Sequence, residues 1–359
     1  MYSKEYIPTL GNSIDTTNEL YWKKIKHPFR GGIEITTGCN LKCRHCYVDD
    51  KSFYDYLSYD DIVKILDKMF DAGVLFIYFT GGEVFTRKDF KDIYIYAKKK
   101  GFMITILTNG TLINDEVIDI FNKYPPLLVS ISIYGCSEKS YDLVTNSKGQ
   151  FSKFKRTLEL LDKNQISFEL KFIIFKENYN EYDEAKNLAE YYDVPFSYTL
   201  EFFPTLGGNL EPIEKFMLDD NTILEFEEKK AKISYLWEVN SDKKNIYDSY
   251  GDFKPLFLCS IDCGNFFIDK DGNLYPCNKL RIKNQKSNIV HNDFKEVYKS
   301  FSEYKLMEAS KNYPCLKCSY IGICNPCPAI NLLANGDLEK PPKKLCKLNK
   351  LRMGKKYKN

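Results

Sequence analysis

The first residues that could do chemistry are the thiols of Cys39-Asn-Leu-Lys-Cys43-Arg-His-Cys46. Three cysteines at spacings of four and three follow an apolar stretch, Gly32-Ile-Glu-Ile-Thr36, and can converge on one metal centre. A [4Fe–4S] cluster takes four ligands, and this loop supplies three. The iron left without a thiolate is a place where a substrate or cofactor can bind, so the loop points to catalysis rather than to structural support. The alternative is a structural zinc loop, although such loops usually gather two C-x2-C pairs.

Nine further cysteines complete a set of twelve: Cys136 alone, and eight between Cys259 and Cys346. Close-spaced thiols in a chain without a secretory signal indicate metal rather than disulfides. Cys259-x3-Cys263 precedes Asp271-Gly-Asn-Leu-Tyr-Pro-Cys277, and Cys315-x2-Cys318-x5-Cys324-x2-Cys327 and Cys346 follow. Eight thiols are the number for two four-ligand sites. The start, Met-Tyr-Ser-Lys-Glu-Tyr, lacks the regions of a signal peptide, and no apolar run approaches the ~18 residues of a membrane span. A net charge of +3 with 28% charged residues gives no footprint for nucleic acid or a membrane surface. These features are those of a cytoplasmic protein.

Elements that position the first loop can be read from the alternation after Gly31. Apolar runs predict strands at 33–36, 75–80, 103–108, 128–134, 167–174 and 196–202. Helical patterns lie between them. In 58–73, Ile62, Ile65, Leu66, Met69 and Phe70 recur at helical spacing, with Ser58 and Asp61 as a capping box and Gly73 as the stop. Alternating strands and helices imply right-handed crossovers and a parallel sheet. Six units are too few for a closed eight-stranded barrel. Phe266–Ile268, the Asp-Gly turn and Leu274-Tyr275 read as a β-hairpin.

The first loop resembles the signature of the radical S-adenosylmethionine (radical SAM) enzymes, and two further segments follow it in the family's order. Thr80-Gly81-Gly82-Glu83 is similar to the GGE motif that holds the SAM amino group, with Val84 where proline is common. Thr108-Asn109-Gly110-Thr111 is similar to the TNG segment near the ribose and methionine. The resemblance implies an α/β fold, a partial (β/α)6 TIM barrel with function at the carboxyl ends of its strands. It implies cofactor-binding roles for His45, Gly81, Gly82, Glu83, Thr108, Asn109 and Ser132, with Asn178 and Lys171 as weaker candidates. Cys136, just past the fourth strand, is a candidate hydrogen donor; the alternative is a small buried hydrophobe.

The C-terminal cysteines resemble the SPASM extension of radical SAM peptide maturases. The last pair is separated by two residues, where the family usually has three. By this resemblance Cys259, Cys263, Cys277 and Cys327 hold one auxiliary [4Fe–4S] cluster, and Cys315, Cys318, Cys324 and Cys346 the other. Two structural zinc sites are the alternative. The expected organisation is a lead-in at 1–28, the barrel at 29–205, and a charged helical connector at 206–250. The SPASM domain follows at 251–350 and a basic tail at 351–359.

Together these imply reductive cleavage of SAM to a 5′-deoxyadenosyl radical that abstracts hydrogen from a peptide. Maturation of a ribosomally made peptide by crosslinking or epimerisation is the expected reaction. An external donor such as flavodoxin or ferredoxin would supply the electron. The stretch before Gly31 is too short for a leader-binding domain, so a separate protein would recognise a leader. Dehydrogenation of a small molecule is the runner-up. Formylglycine formation is disfavoured because Asn278 stands where sulfatase maturases carry an Asp base. A metal-binding or electron-transfer protein is the non-enzymatic alternative, and the Gly-Gly-Glu turn argues against it.

Overall fold

The computed structural model describes residues 27–49, 56–230, 246–282 and 287–356, except 260, 262, 320, 322, 323 and 325. The expected lead-in and part of the charged connector lie outside the described residues.

Six βα units run in chain order. Their strands are β1 (Arg30–Thr36), β2 (Phe76–Gly81), β3 (Met103–Thr108), β4 (Leu128–Ile133), β5 (Phe168–Ile173) and β6 (Phe196–Thr199). Each lies within two or three residues of its predicted bounds. The order β6-β5-β4-β3-β2-β1 never reverses. Right-handed crossovers that always step the same way put every helix on one face of the sheet. The other face must line an interior, the condition for a barrel rather than a doubly wound sheet.

Between β1 and β2 lies helix α1 (Tyr59–Asp71), which begins at the expected capping box: Ser58 Oγ accepts from Asp61 N at 3.1 Å. Ile62, Ile65, Leu66 and Met69 are buried against the sheet. Gly73 ends the helix region at φ +82°, a conformation that favours glycine.

The hairpin expected from Phe266–Ile268, the Asp-Gly turn and Leu274-Tyr275 is present and joins the barrel sheet. Strands β7 (Asn265–Ile268) and β8 (Leu274–Tyr275) extend the barrel sheet, with β7 parallel to β1 and β8 antiparallel to β7. The reason is the open barrel itself: β1 would otherwise present an unpaired row of backbone groups. Lys68 on α1 reinforces this join by donating to the carbonyls of Ile289, Val290 and Asn292 at 2.7–3.1 Å. Part of the C-terminal region forms a second, smaller hydrophobic cluster around Tyr247, Leu256, Phe257, Leu280 and Tyr313, while Phe294, Val297, Tyr298, Phe301 and Leu348 join the main core.

The basic C-terminal segment is helical through residue 356. Helix α2 (Lys343–Lys356) carries Cys346 and is fastened by Arg352, which donates to Glu227 at 3.0 Å and to Glu201 at 2.8 Å. Among the described residues no helix is long and apolar enough to cross a membrane.

Candidate functional site

The cysteine loop leaves the carboxyl end of β1 and is stitched to the loops after the neighbouring strands. Gly82 N donates to Thr36 O at 3.0 Å, Glu83 N to Gly38 O at 2.8 Å, and Thr86 Oγ1 to Gly38 O at 3.0 Å. The two glycines are demanded by this approach. A Cβ on Gly81, at φ +147°, would sit 2.2 Å from Thr36 O, and one on Gly82 would sit 2.3 Å from Gly38 O. On the far side, Lys42 N and Arg44 N donate to Thr145 O and Val144 O at 3.1 and 3.2 Å.

Glu83 ties the second and third loops together. Its carboxylate, 1% exposed, accepts from Thr108 Oγ1 at 2.8 Å and Asn109 N at 2.7 Å. Burial pushes its pKa up to about 7, against the pull of those donors. Asn109 Nδ2 donates to Asn40 Oδ1 at 3.0 Å and lies 3.9 Å from Cys39 Sγ. The Gly-Gly-Glu and Thr-Asn-Gly segments therefore converge on the first cysteine. Burial pushes the Cys39 thiol up to about 11, with the charges of Glu83 and Cys46 adding to it.

The other expected residues surround this centre in different roles. His45 packs among the rings of Phe175, Tyr134 and Phe202, with centroids 4.6, 5.4 and 5.9 Å away. Ser132 lies on β4 opposite Lys171 of β5, and Lys171 is paired with Glu169 at 2.9 Å. Asn178 is a brace: its amide donates to Tyr134 O and Ile173 O, both at 2.9 Å, and accepts from Phe175 N at 2.7 Å. Both its amide hydrogens are thus engaged within the protein, where the resemblance implied a cofactor contact. Cys136 Sγ lies against Glu181 O at 3.7 Å, packed beside the main core.

The model of the radical SAM superfamily matches residues 33–189, the segment that carries all three motifs. The antilisterial bacteriocin subtilosin biosynthesis protein AlbA of Bacillus subtilis is 26% identical over 86% of this chain and 69% of its own. Residues 33–189 of this chain form a radical SAM domain. An AdoMet-dependent heme synthase of Methanosarcina barkeri is 25% identical over 86% of this chain and 94% of its own. SuiB of Streptococcus suis, solved with S-adenosylmethionine, shares the fold at a TM-score of 0.67 and 18% identity, over 95% of this chain and 83% of its own.

In this radical SAM enzyme the C-terminal thiols fall into two neighbourhoods. Burial, with the charges of Cys327 and Cys277 adding to it, raises Cys259 to about 11. Cys277, lifted mainly by burial, also feels Cys327. In the second neighbourhood burial raises Cys324 to about 12, with further contributions from Cys315, Cys346 and Cys318. Cys263 is buried two residues before β7. Among the described residues, no three His, Cys, Asp or Glu side chains gather tightly enough to hold a single ion.

Two residues escaped the sequence reading. Glu34, 1% exposed on β1, pairs with Arg281 at 2.8 Å. An acid in the middle of Ile33-Glu-Ile35 was a readable signal; the partner, 247 residues away, was not.

Proposed function

We propose that this enzyme uses SAM to start radical chemistry on a peptide, in the maturation of a ribosomally made precursor. The observation that carries the reading is the convergence of the Gly-Gly-Glu and Thr-Asn-Gly segments on Cys39 through Glu83 and Asn109. Cys39, Cys43 and Cys46 would hold a four-iron cluster by three of its irons. Such a cluster, when bound, supplies the open iron and the electron that convert SAM to a 5′-deoxyadenosyl radical. Gly81 and Gly82 let backbone come close enough to seat the cofactor, Glu83 holds the two motif loops in register, and His45 walls the pocket with aromatic neighbours. The two groups of C-terminal thiols would hold the auxiliary clusters, Cys259, Cys263, Cys277 and Cys327 in one and Cys315, Cys318, Cys324 and Cys346 in the other.

AlbA, named for the biosynthesis of a bacteriocin, supports the peptide. The heme synthase, matched over 94% of its length, favours the second reading, a small molecule. Asn278 carries an amide that cannot serve as the base of a formylglycine-forming enzyme. An external one-electron donor completes the reaction in either case.

The test is anaerobic reconstitution, with iron and sulfide counted, followed by dithionite and SAM. About twelve irons per chain and release of 5′-deoxyadenosine, lost in Cys43→Ala, are expected. Zinc without deoxyadenosine would overturn the reading. A mass change in a peptide encoded beside the gene separates the peptide from the small molecule.

A further inference from the structure

Parallel strands covered on both faces read as nearly continuous apolar runs. Here they alternate. Ile33 and Ile35, Ile77 and Phe79, Ile104 and Ile106, and Val129, Ile131 and Ile133 are buried in the main core. The intervening positions are polar: Glu34 on β1, Tyr78 and Thr80 on β2, Thr105 on β3, Ser130 and Ser132 on β4, Glu169 and Lys171 on β5. Strand register places these side by side, Glu34 opposite Thr80, Tyr78 opposite Thr105, Ser130 opposite Glu169 and Ser132 opposite Lys171. The interior face is therefore largely polar, interrupted by Leu107 opposite Ser130 and by Phe267 opposite Gly32, and its two ion pairs, Glu34–Arg281 and Glu169–Lys171, are each internally balanced.

Arg281 enters this interior from the C-terminal segment, four residues after Cys277. Its Nε donates to Asn278 O at 3.0 Å and its Nη1 to Glu34 Oε2 at 2.8 Å. The guanidinium lies 4.8 Å from the ring centre of Phe267, on the strand beside β1. The remaining nitrogen, Nη2, is buried with no hydrogen-bond partner among the described residues. A buried charged donor without an acceptor is costly, and native structures rarely leave one so. Its position is central. Glu34 lies on the strand that leads into the first cysteine loop and Asn278 directly follows Cys277, so the guanidinium bridges the two segments.

We infer that Arg281 Nη2 docks a neutral carbonyl oxygen of the substrate, a backbone carbonyl of a peptide, between the first cysteine loop and Cys277. The charge balance selects the neutral acceptor. Glu34 already matches the guanidinium, so a substrate carboxylate would enter a low-dielectric interior without a counter-ion of its own. A peptide carbonyl satisfies the donor and adds no charge. Asn278 and Glu34 hold the guanidinium plane, and Phe267 supports its face. Arg281 is thus a binding residue with a fixed direction. This inference rests on the peptide reading above.

The test uses the reconstituted holoenzyme with SAM, under anaerobic conditions. An mRNA-displayed library of random twelve-residue peptides is selected on the wild type, and the enriched peptides are measured on Arg281→Lys. Lysine keeps a charge for Glu34 but lacks the second in-plane N–H. Affinity is expected to fall tenfold or more, with iron content and unfolding midpoint retained. Replacing peptide amides by esters one at a time should then weaken binding at one position in the wild type and at none in Arg281→Lys. Should Arg281→Lys lose iron, the pair Glu34→Gln with Arg281→Gln, a neutral replacement, gives the same comparison. Equal affinity in wild type and variant overturns the role of Arg281 and leaves the peptide reading standing. No enriched peptide, with a tetracarboxylate porphyrin bound instead, overturns both. No binding of either probe also overturns the docking role.

Discussion

Gly82→Ala isolates the close approach on which the first site depends. The added methyl would stand 2.3 Å from Gly38 O and 2.5 Å from Thr37 O, backbone atoms that cannot rotate away. The turn must therefore move, at an overpacking cost of about 1–3 kcal/mol. Moving it also strains two hydrogen bonds, Gly82 N to Thr36 O at 3.0 Å and Glu83 N to Gly38 O at 2.8 Å. Each contributes roughly 0.5–1.5 kcal/mol. Their sum is on the order of 4 kcal/mol against the closed arrangement, and at 1.4 kcal/mol per decade this approaches a thousandfold loss of its population. SAM affinity of the reconstituted protein, measured by equilibrium dialysis, should fall at least a hundredfold (about 2.8 kcal/mol). Gly73→Ala is the control. Its Cβ meets nothing within 4 Å and its φ is +82°, so only backbone strain of about 1–2 kcal/mol is added, far from the site. Wild-type SAM affinity in Gly82→Ala would refute the steric reasoning.

Cys136 offers a test by chemistry. Burial, with the charges of Glu181 and Glu184 adding to it, raises its thiol from the ordinary 9.0 to about 12. The thiolate fraction at pH 8 falls about a thousandfold, since each unit is a factor of ten. Iodoacetamide labelling of Cys136, followed by mass spectrometry, should be correspondingly slow and rise tenfold per pH unit up to about 12; labelling at a free-thiol rate would contradict its buried environment. Arg352→Leu should leave the buried Glu227 and the half-buried Glu201 unmatched, a destabilisation of about 3–5 kcal/mol. Loosening of α2, which carries Cys346, would appear as C-terminal proteolysis and a lower iron count; an unchanged protease pattern would count against the clamp.

The chemistry of the first site was legible because it is local. Three thiols in eight residues, a Gly-Gly-Glu turn and a Thr-Asn-Gly turn each lie within one loop. The strands that present them could be read from apolar runs, and the α1 cap from Ser58 and Asp61. Local spacing and periodicity survive folding unchanged, so they can be read before it.

What only the tertiary structure decided are relations between distant segments. Pairing of β7 with β1 turns a hairpin of the C-terminal region into part of the barrel sheet, because an open edge needs a partner wherever the chain can supply one. Glu34 meets Arg281 across 247 residues, and Arg352 reaches Glu227 across 125. Neither pairing leaves a periodicity or a spacing in the sequence. Asn178 makes the same point in reverse. Its type and place suggested a cofactor contact, yet both amide hydrogens are taken by Tyr134 O and Ile173 O. A side chain's donors go to whatever acceptors the fold brings within 3 Å, and those neighbours are set by packing rather than by position along the chain.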